Sequence, residues 1–136
     1  MKKLLFFILF FITLISCDKG KGNLKYLETI PGGCAKEKGS SLKSVIESKN
    51  DTVSYSIANG TLDLFVGFYA RCCGEYSTST EINENTIFCK ILTTKIGNCY
   101  CDCYYTYNFR FYASGKNYKY EITIDGNLKF SGQIKP

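Results

Sequence analysis

The sequence predicts an all-β fold, a small antiparallel β-sandwich or barrel crosslinked by disulfide bonds, and three observations support this prediction. Apolar and polar residues alternate with a period of two along most of the chain, as in strands with one buried face. Turn-forming residues recur at nearly regular intervals and divide the chain into about seven or eight short segments. The 136 residues include 8 cysteines, enough to crosslink the single domain that this length allows.

Two dipeptides, Asn59-Gly60 and Asp125-Gly126, mark the tight turns of β-hairpins. Both central residues of a type I′ turn have positive φ, which Gly adopts freely and which Asn and Asp tolerate. Each dipeptide stands between two segments with strand character. The predicted strand pairs are 52–57 with 61–68, and 118–124 with 128–134.

The remaining strands follow from the same alternation and from the turns between them. We predict strands at 76–82, 86–93 and 99–112, and turns at 83–85, 96–98 and 114–117. Residues 35–50 break the alternation. Within them Leu42, Val45 and Ile46 favour a short helical turn.

The N-terminus carries a segment of a different kind. Lys2 and Lys3 precede an apolar run at 4–15, which is too short to span the ~30 Å hydrocarbon core of a bilayer. Positive charge followed by a short apolar run is typical of a secretion signal. The run ends in Leu14-Ile15-Ser16-Cys17, which resembles the lipobox of bacterial lipoproteins.

This resemblance implies a cleaved signal peptide at 1–16 and a lipid-bearing Cys17 as the first residue of the mature protein. It also implies that acyl chains such as palmitate attach the protein to a membrane. The polar, Gly-rich residues 17–23 then form the lipidated N-terminus and a tether, and 24–136 form the β-sandwich domain. The expected location is the bacterial cell envelope, outside the cytoplasm, with the outer membrane favoured over the inner.

Seven further cysteines are disulfide candidates, because an exported domain folds where disulfides persist. Their number is odd, so at least one thiol stays outside an intramolecular bridge. We expect the strand at 99–112 to point three of them to one face and to pair them with cysteines on other strands. If Cys72 and Cys73 are extended, their side chains point to opposite faces of the sheet. We therefore expect at most one of the two to lie in the same layer as the three cysteines of the strand at 99–112. The seven are Cys34, Cys72, Cys73, Cys89, Cys99, Cys101 and Cys103.

Two other uses of these cysteines stay open. Thiolates suit Zn²⁺ or Cu(I), but three sulfurs along a straight strand cannot converge on one tetrahedral ion without a bulge. Redox activity is favoured less, because no C-x-x-C motif stands at a helix N-terminus. We therefore predict no metal site and no cofactor.

The two faces of the strand at 99–112 differ. On one face, the three cysteines are followed by aromatic residues at 105, 107, 109 and 111, a pattern typical of a buried face. Aromatic and Arg residues on the other face suit a protein or glycan partner. The alternative, which we favour, is that these tyrosines form ordinary cross-strand packing. This candidate binding surface comprises Tyr100, Asp102, Tyr104, Arg110 and Tyr112.

The C-terminal half carries a second, looser resemblance. The run Cys99-Tyr100-Cys101-Asp102-Cys103 and the later Tyr118-Lys119-Tyr120-Glu121-Ile122 resemble small Cys-rich lipoproteins of Bacteroidetes. Those proteins carry a C-x-C-x-C strand and a late strand of alternating aromatic and aliphatic residues. The resemblance implies an envelope location and a β fold, and it implies no activity.

Composition limits the function classes. The chain has 0 His, which excludes Ser-His-Asp and Cys-His catalysis and imidazole metal sites. The net charge of +5 is scattered rather than concentrated in a stripe, so nucleic acid is not the expected partner. We predict a non-catalytic binding or structural module and no enzyme. The alternative is a thiolate metal-binding or thiol-redox protein of the envelope.

Overall fold

Eight strands in two sheets make up the part of the chain that the structure, a computed structural model, describes, residues 24–35 and 50–136. The signal peptide, Cys17 and the tether lie outside these residues, as does nearly all of the helical turn predicted within 35–50. The strands are β1 Lys25–Ala35, β2 Thr52–Ala58, β3 Thr61–Arg71, β4 Gly74–Asn83, β5 Thr86–Ile96, β6 Asp102–Tyr112, β7 Tyr118–Ile124 and β8 Asn127–Ile134.

The two sheets have four strands each and pack face to face. Sheet A has the order β1-β6-β3-β2, and sheet B has the order β4-β5-β7-β8. Alternate residues of β6 point between the sheets, and Tyr105, Tyr107, Phe109 and Phe111 are all buried there. Ile87, Cys89, Ile91 and Ile122 of sheet B lie in the same core. The predicted small, disulfide-linked all-β fold is confirmed, in its sandwich form.

Both hairpins predicted from the dipeptides form as expected. Asn59 and Gly60 have φ of 51° and 74°, and β2 pairs with β3 up to Ala58 and Thr61. Asp125 and Gly126 have φ of 49° and 78° between β7 and β8. The turn between β4 and β5 is built differently, because Glu84 has a positive φ of 53° and its partner Asn85 does not.

The β7–β8 turn allows a test of backbone strain alone, because a Cβ added to Gly126 would meet no atom within 4 Å. We expect Gly126→Ala to lower the free energy of unfolding by about 1–2 kcal/mol, because a Cβ is unfavourable at positive φ. Gly126→Asn is the matched control and should lose less, since Asn tolerates this conformation. Urea denaturation measures both variants, and equal losses would contradict the strain argument.

One strand pairing departs from the predicted antiparallel pattern. β5 and β7 are neighbours in sheet B and run parallel, from Thr86↔Lys119 to Ile91↔Ile124. Parallel neighbours require a crossover connection. Here β6 provides it, because the chain leaves sheet B after β5, forms β6 in sheet A, and returns for β7.

Strand β1 was not predicted from the sequence. Pro31, Gly32 and Gly33 suggest a turn, yet the strand continues through them with a register shift and a φ of 73° at Gly33. Pro is tolerated in an edge strand because its missing N–H removes no bond on the open side. β1 is the edge strand of sheet A, which explains why the alternation is interrupted there.

Candidate functional site

The chain passes between the sheets at one end of the sandwich through two adjacent connectors. Cys72 and Cys73 join β3 to β4, and residues 97–101 join β5 to β6. The Cys72 N–H donates to the Cys101 carbonyl at 3.0 Å, and the Gly97 N–H donates to the Cys73 carbonyl at 3.3 Å. Backbone hydrogen bonds therefore hold the two connectors together.

Of the seven cysteines within residues 24–35 and 50–136, six form three disulfides and Cys89 forms none. Cys72–Cys101 and Cys73–Cys99 link the two connectors, with Cα–Cα distances of 5.5 and 6.1 Å. Cys34–Cys103 links β1 to the start of β6 at 5.5 Å. The prediction that the closely spaced cysteines bond to other segments, rather than to one another, is confirmed.

Two details of the cysteine prediction are wrong. Cys99 and Cys101 do not lie in a strand, because β6 begins only at Asp102, so of the three only Cys103 faces the core. Cys72 and Cys73 both pair with members of the group, because they occupy a tight turn instead of an extended strand. Strand alternation therefore does not apply to either connector.

The sulfur atoms at the crossing form a cluster, which we define as Cys72, Cys73, Cys99 and Cys101. The Sγ atoms of Cys72, Cys99 and Cys101 lie within 4.8 Å of one another. The Cys73 N–H also points at the Cys99 Sγ, at 3.2 Å. The chemistry accessible to such a cluster is disulfide crosslinking or, after reduction, thiolate ligation.

A buried tyrosine supports this cluster from the core side. The Tyr105 hydroxyl lies 3.1 Å from the Arg71 carbonyl and 3.3 Å from the Gly74 carbonyl, at the two ends of the turn. Its ring makes an edge contact with Tyr76 and stacks on Phe68. The Cys72-Cys73 turn is thus fixed by side-chain packing as well as by disulfides.

Tyr100 lies at the tip of the second connector, between the two crosslinked cysteines Cys99 and Cys101. Its relative exposure is 108%, so its ring contacts almost nothing in its own chain. Nearby in sequence, Ile96 is 68% exposed. A large aromatic side chain on a doubly crosslinked loop is both accessible and rigidly placed.

The other members of the predicted binding surface do not join Tyr100. Tyr104 is buried, so its assignment to a solvent-facing surface is wrong. Its ring lies over Gly67, pairs with Tyr69 at 4.9 Å, and its hydroxyl shares a hydrogen bond with Thr52. The cross-strand alternative that the sequence analysis favoured therefore applies to Tyr104.

Arg110 and Tyr112 lie towards the opposite end of β6 from Tyr100. Asp102 and Tyr112 are the two ends of the 11-residue strand β6, which spans roughly 30 Å. Arg110 binds the carboxylates of Glu28 and Asp63, each at 2.9 Å, and these contacts raise its pKa, the Glu28 hydrogen bond most. Its guanidinium is already paired, whereas Tyr112 and Asp102 are exposed.

Two open depressions lie on the surface. One, of about 320 Å³, is lined by Asp63, Asn108, Phe65 and residues of β2 on the outer face of sheet A. The other, of about 210 Å³, lies beside Tyr69, Tyr76 and the Asp51–Lys129 ion pair. Sites for small molecules enclose most of their ligand. Neither depression encloses a ligand in this way.

The remaining candidate cysteine, Cys89, is unpaired and lies in the core between the sheets with 0% exposure. Burial raises the pKa of its thiol to about 12. A neutral thiol without access to solvent is a poor nucleophile. Of the predicted disulfide candidates, Cys89 is the one that the structure leaves as a packing residue.

Cys89 provides a prediction for stability at alkaline pH. The pKa of the Cys89 thiol is higher in the folded state than in the unfolded state, so the folded state holds this proton to higher pH. The contribution of Cys89 to the free energy of unfolding is therefore complete below pH 9 and is lost as pH rises towards about 12. We expect the unfolding free energy to fall by up to about 1.4 kcal/mol per pH unit in this window through Cys89 alone. Urea denaturation of Cys89→Ala should lack this component, and an unchanged slope would contradict it.

Comparison with protein-family models, with curated proteins and with solved structures finds no match to this chain. The site is therefore interpreted from its own geometry. Among the residues that the structure describes, no helix has the length and apolar character needed to cross a membrane.

Proposed function

We propose that this chain is a lipid-anchored protein of the bacterial cell envelope whose β-sandwich is a non-catalytic binding module. The three disulfides support an exported protein, because such crosslinks persist in oxidising compartments. The signal-like segment at 1–16 and the lipobox-like motif ending in Cys17 support the anchor. The tether at 17–23 then separates the sandwich from the bilayer.

The observation that carries the binding proposal is the loop that presents Tyr100. Both neighbours of Tyr100 are crosslinked to the adjacent Cys72-Cys73 turn, so the loop loses little conformational entropy when it binds. Tyrosine is enriched among the residues that contribute most to protein interfaces. A rigid loop with one protruding ring fits a concave partner better than a flat one.

The class of partner follows from the same geometry. A protruding tyrosine inserts its ring into an apolar or aromatic recess and keeps its hydroxyl for a hydrogen bond at the rim. We therefore favour a protein of the envelope with such a recess. A glycan, which would stack on the ring from one side, is the alternative partner.

The anchor is tested by metabolic labelling with an alkyne analogue of palmitate. We expect the full-length protein to incorporate the label and to fractionate with membranes. The variant Cys17→Ser should be unlabelled and should leave the membrane fraction. Cys89→Ala is the matched control because it also removes one thiol, and it should behave as the parent. Labelling of Cys17→Ser would overturn the proposed anchor.

The binding surface is tested by photo-crosslinking in intact cells. A photoreactive phenylalanine analogue replaces Tyr100 in one version and the exposed Lys119 of sheet B in the other. We expect a discrete crosslinked product from position 100 only. Added soluble parent protein should compete for the partner and abolish this product, whereas added Tyr100→Ala protein should not. That difference would establish the role of the Tyr100 ring. Identical products from both positions, or none, would overturn the proposal.

A further inference from the structure

We propose that the cluster of Cys72, Cys73, Cys99 and Cys101, once reduced, forms a tetrathiolate site for one soft divalent cation, with Zn²⁺ the best fit. This site does not involve the membrane anchor, but it uses the same four cysteines whose disulfides flank Tyr100 in the proposed binding loop. It requires only that a reductant opens the two disulfides between the connectors.

The sulfur positions match the size of a tetrahedral zinc site. With Zn–S bonds of about 2.3 Å, tetrahedral geometry places the sulfurs roughly 3.8 Å apart. Three of the sulfurs already lie within 4.8 Å of one another, and the fourth, of Cys73, is bonded to Cys99. Rotation about the cysteine χ1 bonds adjusts these separations once the S–S bonds are open.

Sulfurs along a straight strand cannot converge on one ion, but these four cysteines do not lie on a strand. Cys99 and Cys101 lie on an irregular connector, and Cys72 and Cys73 lie on a turn. Two short loops that each contribute two cysteines are a common arrangement for a structural zinc site, and the spacing here, with Cys72 and Cys73 adjacent, is tighter than the usual C-x2–4-C.

Contacts other than the disulfides keep the four cysteines together. The backbone hydrogen bonds Cys72→Cys101 and Gly97→Cys73 join the connectors, and the Tyr105 hydroxyl supports the turn. These contacts survive reduction of the disulfides. The Cys73 N–H, which points at the Cys99 sulfur, is one more contact between the two connectors.

Cys101 is the most accessible cysteine of the cluster. It is an exposed residue, whereas Cys72, Cys73 and Cys99 are half-buried. Reduction requires direct attack on a sulfur atom, so we expect Cys72–Cys101 to open first. The third disulfide contributes no ligand to the site, because Cys34 and Cys103 lie outside the cluster.

The conversion balances as two separate steps. A phosphine reductant with one water cleaves each S–S bond, and it yields two thiols and one phosphine oxide. Two phosphines thus supply the four electrons for Cys72–Cys101 and Cys73–Cys99. The four thiols then bind one M²⁺ as thiolates and release four protons, so binding weakens as pH falls.

The test uses Co²⁺ as a spectroscopic probe with the full-length protein reduced by a phosphine without oxygen. We expect saturation at one equivalent, with sulfur-to-cobalt charge transfer and the intense visible bands of tetrahedral cobalt. Zn²⁺ should abolish the visible bands by displacement. Absence of tetrahedral bands in the folded, reduced protein would overturn the site.

Two variants that each remove one cysteine pair provide the matched comparison. Cys72→Ser/Cys101→Ser removes half of the cluster, and we expect it to bind Co²⁺ at least about a hundredfold more weakly. Cys34→Ser/Cys103→Ser should keep the parent spectrum. If circular dichroism shows the latter to be unfolded, Cys89→Ala replaces it as control. Equal affinity of cluster variant and control would mean nonspecific thiol binding and would overturn the proposal.

Discussion

Replacing Cys34 and Cys103 with Ser lowers the free energy of unfolding by about 4 kcal/mol, the largest loss expected for any one disulfide here. The two residues are 69 positions apart. In the unfolded chain a shorter path leads through the Cys72–Cys101 bridge and closes a loop of about 40 residues. The entropy of closing such a loop corresponds to about 4 kcal/mol. Urea denaturation of the oxidised protein measures the effect.

The matched comparison is Cys72→Ser/Cys101→Ser, for which we expect a loss of only about 2 kcal/mol. Cys73–Cys99 lies directly beside this bridge, so Cys72–Cys101 closes a path of only about five residues in the unfolded chain. A loss as large as that of Cys34→Ser/Cys103→Ser would contradict the argument from nested loops. Equal, small losses for both variants would show that residual structure already restricts the unfolded chain.

This difference separates the cysteines by role. One bridge at the crossing supplies the larger part of the stabilisation by crosslinking, and the second adds only about 2 kcal/mol. The second bridge nevertheless brings the number of clustered sulfurs to four. The proposed metal site would use all four of these sulfurs, so it requires both bridges.

The sequence predicted the strands that obey simple alternation. β7 is predicted to the residue and β2 to within one residue, since their runs of alternating side chains are bounded by turn residues with positive φ. β1 was missed because Pro31 and two glycines interrupt its pattern. An edge strand tolerates such an interruption, but the edge position is known only from the sheet order.

The cysteine cluster shows a second limit of the sequence. Period-two spacing placed Cys99 and Cys101 on a strand with Cys103, but Gly97 and Asn98 end β5 and the irregular backbone continues as far as Cys101. A residue pattern with a period of two can occur in an irregular loop as well as in a strand. Only the backbone shows which applies, and it decides whether the sulfurs lie along a line or converge.

The prediction that Tyr104 belongs to an exposed binding surface was wrong because of the register between β6 and β3. Tyr104 stands between Cys103 and Tyr105, which face the core, so alternation places it on the outer face, which is correct. In the structure its ring covers the gap left by Gly67 on the neighbouring β3 strand. Aromatic residues often fill the space above a cross-strand glycine. Nothing in the sequence of either strand identifies that pair before the register is known.

The final prediction follows from this contrast between two tyrosines four residues apart. Tyr104→Ala removes a ring that is 6% exposed, its contact with Tyr69 and its hydrogen bond to Thr52. We expect it to lower the free energy of unfolding by about 3 kcal/mol, as for other buried aromatic residues. Tyr100→Ala removes a fully exposed ring, and we expect a change within about 0.5 kcal/mol.

Urea denaturation of the two variants, with Tyr104→Phe as an intermediate case, separates packing from recognition. Tyr104→Phe keeps the ring over Gly67 and removes only the hydroxyl, so it should lose about 1 kcal/mol. Gly67→Ala should be destabilising as well, because the added Cβ would collide with the Tyr104 ring. If Tyr100→Ala were as destabilising as Tyr104→Ala, the Tyr100 ring would be packed against its own chain. A ring packed in this way could not anchor a partner, because it would have no free face to offer.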